Sequence, residues 1–315
     1  MASAIITNTW DGRGAGFWSV HCESIADALD FARRTPTKNE NEWARLSGID
    51  KKEEWEGTGG RDSREWRGVH SYREAEQVAQ YGWPEGTAKV ESLQGKLAGS
   101  VRASHGRQSW AFVEGGGLAP DITAYLANDP AHWLESRTNN AAGGRRVVTI
   151  RADVAVSCGI EAEAVARRGA AICAVVDAIE SSGLRVRVIA ADCVTRDNDA
   201  SKMVGISFDL KAPDEPLDVA RLAAMANPCL SRCIAFAMQE CAPDEARQVV
   251  GVTGTGCYGR PASREQSIKA HKLAGLGDEE DTIFIDSDPA LFESEKSCLD
   301  WIKKTAEAAG VAFED

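Results

Sequence analysis

The chain has 315 residues, a net charge of -12 and a pI near 5.0. It is long enough for two domains and too acidic for a broad electrostatic grip on nucleic acid or on an anionic membrane. Hydrophobic residues make up 43% and charged residues 27%, a globular balance that excludes a disordered chain.

The opening Met1-Ala2-Ser3-Ala4-Ile5-Ile6 lacks the basic start and long apolar run of a signal peptide. The most apolar window, Gly169 to Ile179, is short and broken by Asp177, so no membrane span and a cytoplasmic location are expected. Nine cysteines are an odd number in a chain without an export signal. They read as free thiols, mostly buried.

Two vocabularies divide the sequence. Eight of nine tryptophans precede residue 134, and eight of nine cysteines follow residue 157. The Gly-rich stretch from Thr138 to Gly144 lies between them and reads as a linker. It sets an expected boundary between a Trp-rich α+β region, 1–143, of unassigned role, and an α/β domain, 144–315.

In the first part, Ser24 caps a helix to Arg33 with Ile25, Ala28, Leu29 and Ala32 on one face. Residues 38–64 are charged and read as loop. Ser71 and Glu74 form a capping-box pattern that opens a helix to Tyr81, stopped by Gly82. Trp110 to Val113 reads as a strand, and Asp121 to Ala127 as a short helix.

The second part is more regular. Val147 to Val154 is a β-branched strand, Ile160 to Ser182 a long helix stopped by Gly183, and Leu184 to Ala190 a second strand. The arginines of that second strand, Arg185 and Arg187, alternate with apolar residues as on a half-exposed sheet edge. The polar turn at Asp197 to Asp199 is too short for a crossover, so the strand Met203 to Leu210 must run antiparallel. Asp218 to Ala226 reads as helical, and Asn227 caps a further helix with Pro228 at its first position. Thr282 to Asp286 is a short strand before a final amphipathic helix. The order predicts a layered α/β fold with a mostly parallel sheet and one antiparallel strand. Ligands in such sheets sit at the carboxyl ends of the strands, here near Asp153 to Gly159 and Asp286 to Asp288.

The run from Val147 to Asp153, then Ser157, Arg167 to Glu180 and Gly183 to Val188, resembles the opening of a von Willebrand factor A domain. The resemblance covers about half the chain. It implies a Mg²⁺-dependent adhesion site with Asp153, Ser157 and Asp286 as ligands. The middle hydroxyl of the family's Asp-x-Ser-x-Ser motif is replaced by Ala155, and no later threonine matches, so the site is degenerate. Residues 68–75 and 81–83 resemble uncharacterised proteins of tailed bacteriophages.

Gly254, Gly256 and Gly259 match a GxGxxG nucleotide fingerprint, but Arg260-Pro261 follows at once and a surface loop fits better. Cys229, Cys233 and Cys241 share a helix face without a second zinc-binding arm and read as buried thiols. The five histidines show no ligand spacing, and no nucleophile elbow is present.

The expectation is a non-enzymatic interaction or assembly module, phage-encoded, that docks a protein partner and carries no cofactor beyond the Mg²⁺ of the degenerate site. The alternatives are a nucleotide-binding enzyme using the Gly254–Gly259 loop, or a virion structural component.

Overall fold

The computed structural model describes residues 4–9, 16–34, 64–97, 108–113, 119–127, 130, 132–138, 147–157, 159–196, 199, 201–251, 258–277, 282–285 and 294–309. Its strands are β1 Ala4–Asn8, β2 Gly16–Cys22, β3 Gln108–Val113, β4 Ala119–Pro120, β5 Trp133–Thr138, β6 Val147–Asp153, β7 Arg185–Thr195, β8 Lys202–Lys211, β9 Arg260–Pro261 and β10 Thr282–Ile285. The helices are α1 Ile25–Arg34, α2 Arg64–Arg67, α3 Tyr72–Tyr81, α4 Pro84–Leu97, α5 Ile122–Leu126, α6 Ala162–Ser181, α7 Val219–Leu222, α8 Phe236–Glu240, α9 Asp244–Val250, α10 Arg264–Leu273 and α11 Glu295–Ala308. A 3-10 turn, Ala223–Ala226, and a π-helical run, Leu230–Ala235, complete the chain between α7 and α8.

The main sheet has the order β1-β2-β8-β7-β6-β10, with β9 paired to the end of β7. Pairings β2–β8, β7–β6 and β6–β10 are parallel, and β1–β2 and β7–β8 antiparallel. The fold is therefore mixed α/β with a mostly parallel sheet, and the strand Lys202–Lys211 is antiparallel to its predecessor as the short turn required. A separate small sheet runs β3-β5-β4.

The main sheet takes strands from both sides of residue 143. β2 lies parallel to β8 in full register from Gly16 opposite Lys202 to Cys22 opposite Phe208. Trp18, Val20, Ile25 and Tyr72 share one buried cluster with Ile150, Ile172, Phe208 and Ile234. Among the described residues, both sides of residue 143 contribute to that cluster. The linker stretch itself lies outside the described residues from 139 onward, as do residues 38–63.

β7 is also not an edge. It lies between β6 and β8, and Arg187 is tied to Asp209 through Nε and Nη2 at 2.9 and 3.0 Å. Arg187 is half-buried on the polar face of the sheet, paired with Asp209.

Side chains alternate across a strand, so the register sorts the sheet into two faces. One carries Val20, Val148, Ile150, Val188, Ile206 and Phe208, all at most 3% exposed. It packs under α1, α3, α6, α9 and the helical run from 219 to 240, through residues of the same buried cluster. Gly169 of α6 allows that layer to close: a Cβ there would sit 2.3 Å from Ala226 Cα. The other face carries Ser19, His21, Ser207, Arg187, Arg151 and Asp153, and α10 lies over it with Ser267, Ala270 and His271 buried.

The caps expected at α1 and α3 form. Ser24 Oγ accepts from the Asp27 amide at 3.1 Å, and Ser71 Oγ from the Glu74 amide at 3.2 Å. The return arm differs, because Glu74 accepts from the His70 amide rather than from Ser71. The seven described cysteines are free, six of them buried and Cys241 half-buried. No described helix is long and apolar enough to cross a membrane.

Candidate functional site

The parallel strands β6 and β7 end beside a loop, a π-helical run and a short helix, and their polar side chains converge there. β6 ends at Asp153, whose residue exposure is 1%. Its Oδ1 accepts from the Ala155 amide at 3.0 Å and its Oδ2 from Ser267 Oγ of α10 at 2.8 Å. Its backbone carbonyl accepts from Arg168 of α6. Burial lifts the Asp153 carboxyl to about pKa 6, against the pull of Ser267, Arg151, Arg168 and the Ala155 amide.

The helical run from Asn227 onward is the second wall. Asn227 Oδ1 accepts from the Cys229 amide at 2.9 Å, the cap the sequence predicts, and its Nδ2 donates to Gly68 O at 3.3 Å. Gly68 has φ +79, and a Cβ there would sit 2.3 Å from Asn227 Oδ1. Leu230 to Ala235 then widen into a π-helix with all six residues buried, so Ser231 and Arg232 are carried inside. π-helical turns are uncommon and recur at functional sites.

Arg232 is the hub. Nη1 donates to Trp66 O at 2.6 Å, and Nη2 to Ile160 O at 2.7 Å and Ser157 O at 3.4 Å. Its guanidinium also lies 4.4 Å over the Trp66 ring, a cation–π contact. Trp66 leans on Phe236, which stacks on Tyr258 with ring centroids 3.7 Å apart. The Tyr258 hydroxyl donates to the Glu240 carboxylate. The loop after β6 is therefore fixed from below, while Ser157, Gly159 and Glu161 on it remain exposed.

Asp192 of β7 enters this region from the apolar face. Gln239 Nε2 donates to its Oδ1 at 2.7 Å, and its Oδ2 has no hydrogen-bond partner. Burial and the nearby Asp153 push its carboxyl well above the usual carboxylate range, against the pull of the Gln239 hydrogen bond. A narrow cleft of about 300 Å³, open mouth included, lies between the loop and the helices, lined by Val154, Arg168, Ile172, Met225, Asn227 and Ser231 among others.

The residues proposed as metal ligands are only partly assembled. Asp153 and Ser157 lie on one strand-end segment, but the described hydrogen bonds of the Asp153 carboxylate go to Ser267 and Ala155, not to Ser157. Asp286 lies outside the described residues, following Ile285, which is registered against Ala152. Among the described residues no group of three or more His, Cys, Asp or Glu could hold a metal ion.

Of the glycine fingerprint, Gly254 and Gly256 lie outside the described residues. Gly259 has φ +74 and sits against Val194, where a Cβ would approach to 2.9 Å. Its role is close packing beside the end of β7. The following helix, α10, begins only at Arg264, and its first turn is closed by a Ser263–Gln266 capping box.

Ser267, Arg232 and Asp192 escape a sequence reading. The Ser263-x-x-Gln266 pattern was the available signal for α10 and hence for Ser267. Arg232 and Asp192 sit inside apolar runs that reveal no chemistry until the chain is folded.

A family model described as a domain of unknown function, DUF7192, matches residues 12–310. No curated protein and no solved structure matches the chain. With nearly the whole sequence under that one model, the chain belongs to the DUF7192 family.

Proposed function

We propose that this chain is a non-enzymatic interaction or assembly module that docks a protein partner at the carboxyl edge of its sheet, through a half resembling a von Willebrand factor A domain. An antiparallel third strand, β8, beyond β7, and β10 on the other flank of β6, support the likeness. The phage affinity of residues 68–75 and 81–83 belongs to the same reading.

One observation carries it. The loop after β6 is exposed at Ser157, Gly159 and Glu161, yet Arg232 fixes it through two of its carbonyls. A pre-formed exposed loop spares a partner the entropy of ordering it. The polar groups behind the loop are bound to one another: Asp153 with Ser267, Asp192 with Gln239, Glu240 with Tyr258. They shape the edge rather than present an acid, base or nucleophile to a substrate.

The test is capture from the native host with the full chain, Ser157→Trp and Arg232→Ala compared side by side. A partner retained by the full chain and lost by both folded variants is the expected result. A partner held equally by all three, or nucleotide hydrolysis by the purified chain, would overturn the reading.

A second reading, a virion structural component, is favoured by Ile122, Tyr125 and Leu126. These are 62%, 59% and 78% exposed on α5, beside the small sheet.

A further inference from the structure

The polar layer between α10 and the sheet meets the docking edge at Asp153 and Ser267 and continues away from the exposed loop. Two of its side chains are buried with nitrogens that find no hydrogen-bond partner among the described residues. Arg151 of β6 is 3% exposed, and its Nε and Nη1 have no hydrogen-bond partner. His271 of α10 is fully buried, and neither ring nitrogen has one. The two are neighbours through Phe284: it is registered opposite Arg151, and the His271 ring meets it edge-on with centroids 5.2 Å apart.

The acids of this layer are already engaged elsewhere. Asp209 receives both donors of Arg187, and Asp153 receives Ser267 and the Ala155 amide. His21 shares its Nδ1 with Ser207 at 3.1 Å and lies 3.3 Å from Arg187 Nη2. What remains is a buried guanidinium on one element and an unpartnered imidazole on the element facing it. A buried charge and buried N–H groups are costly unless an acceptor reaches them.

We propose that Arg151 and His271, from facing elements, together bind a small oxyanion, a phosphate or a carboxylate. Guanidinium favours such ligands because its hydrogen bonds to them are charge-assisted. The imidazole supplies one N–H in its neutral form, and burial with Arg151 and Arg187 close by holds His271 near pKa 4. Neither feature depends on the docking proposal, since no residue of the exposed loop takes part.

The experiment uses the full chain at constant ionic strength. Inorganic phosphate, sulfate and acetate are titrated in separate arms against a chloride control, and binding is read by thermal melting and calorimetry. A saturable rise in melting temperature with one of them is expected, because a ligand bound only by the native state stabilises it. Phosphate or sulfate alone would assign a tetrahedral anion, acetate alone a carboxylate. Arg151→Met should weaken binding at least tenfold, and Arg151→Lys should retain part of it. Should Arg151→Met fail to fold, His271→Asn and the nitrogen resonances of the wild-type histidine rings take its place. His271 should be the ring that shifts on titration. No saturable response to any of the three anions would overturn the proposal. So would an equal response in a folded Arg151→Met or His271→Asn, or unshifted His271 resonances, since each would mean an adventitious ion only.

Discussion

The two faces of the one sheet are built on opposite principles. The apolar face sets Val20, Ile150, Val188 and Ile206 against α6 and the 219–240 run, and apart from the buried Asp192–Gln239 pair the contacts there are ordinary burial. The α10 face sets His21, Arg151, Asp153 and Ser207 against Ser267 and His271, with a small apolar patch of Phe17, Cys193, Met203, Ala262 and Ala270 beside them. Packing alone would have favoured apolar residues on both faces, since buried ionic groups rarely outperform well-packed hydrophobic ones. The first face holds the protein together, and the second is kept for something other than stability.

The strongest test of that contrast removes the strands that both faces share. A fragment of residues 144–315 lacks β1, β2, α1, α3 and α4, which strips β8 of its parallel neighbour and uncovers part of the apolar face. It should show no cooperative unfolding transition by circular dichroism. A sharp melt from that fragment would restore two independent domains.

Point changes on adjacent residues of β6 should then diverge. Ile150 is fully buried on the apolar face, and Ile150→Ala should cost about 2–5 kcal/mol in denaturant unfolding. Its neighbour Arg151 lies on the polar face, and Arg151→Met should cost far less or stabilise. Equal losses at the two positions would erase the distinction between the faces.

A smaller effect depends on pH. The folded Asp153 carboxyl titrates near 6, above its unfolded value of about 3.9. The native state therefore holds the proton more tightly, and stability falls as pH rises from 4 through 6. Asp153→Asn escapes that cost, so it should be more stable than wild type at pH 7.5, by on the order of 1–3 kcal/mol. The gap should close as pH drops below 4. Mg²⁺ added to the wild type should leave its melting temperature unchanged, because Ser267 and the Ala155 amide already hold the Asp153 carboxylate. A Mg²⁺-dependent rise that Asp153→Asn abolishes would reinstate the cation site.

The same two faces explain what was legible in the sequence. β6, α6, β7 and β8 were readable because their apolar residues recur at strand and helix spacing on the face that forms the main core. The polar face misled. Arg187 on β7 resembled a sheet edge, although its solvent is replaced by Asp209. The residues of α10, Arg264 to Leu273, are largely polar because they cover a polar face, and no apolar stripe announced a helix. β2 was hidden for a different reason: both its faces are buried, so Ser19 and His21 interrupt no visible solvent pattern, and its partner β8 lies far along the chain. At the carboxyl edge, Asp153 and Ser157 are nominated by the resemblance to a von Willebrand factor A domain. One of the two bonds that occupy the Asp153 carboxylate comes from a helix more than a hundred residues later.

The parallel pairing of β2 with β8 also dictates an order of events during synthesis. Gly16 to Cys22 leave the ribosome early, but their partner, Lys202 to Lys211, emerges almost two hundred residues afterwards. At translation rates of about 5–20 residues per second, the first strands wait on the order of ten seconds or longer without their mate. During that wait Phe17, Trp18 and Val20 have no finished core to enter, and a nascent chain with such a long-range contact folds slowly and stays open to aggregation. A strand made that long before its partner is placed late, which makes the nascent segment around β2 a natural client for a holding chaperone.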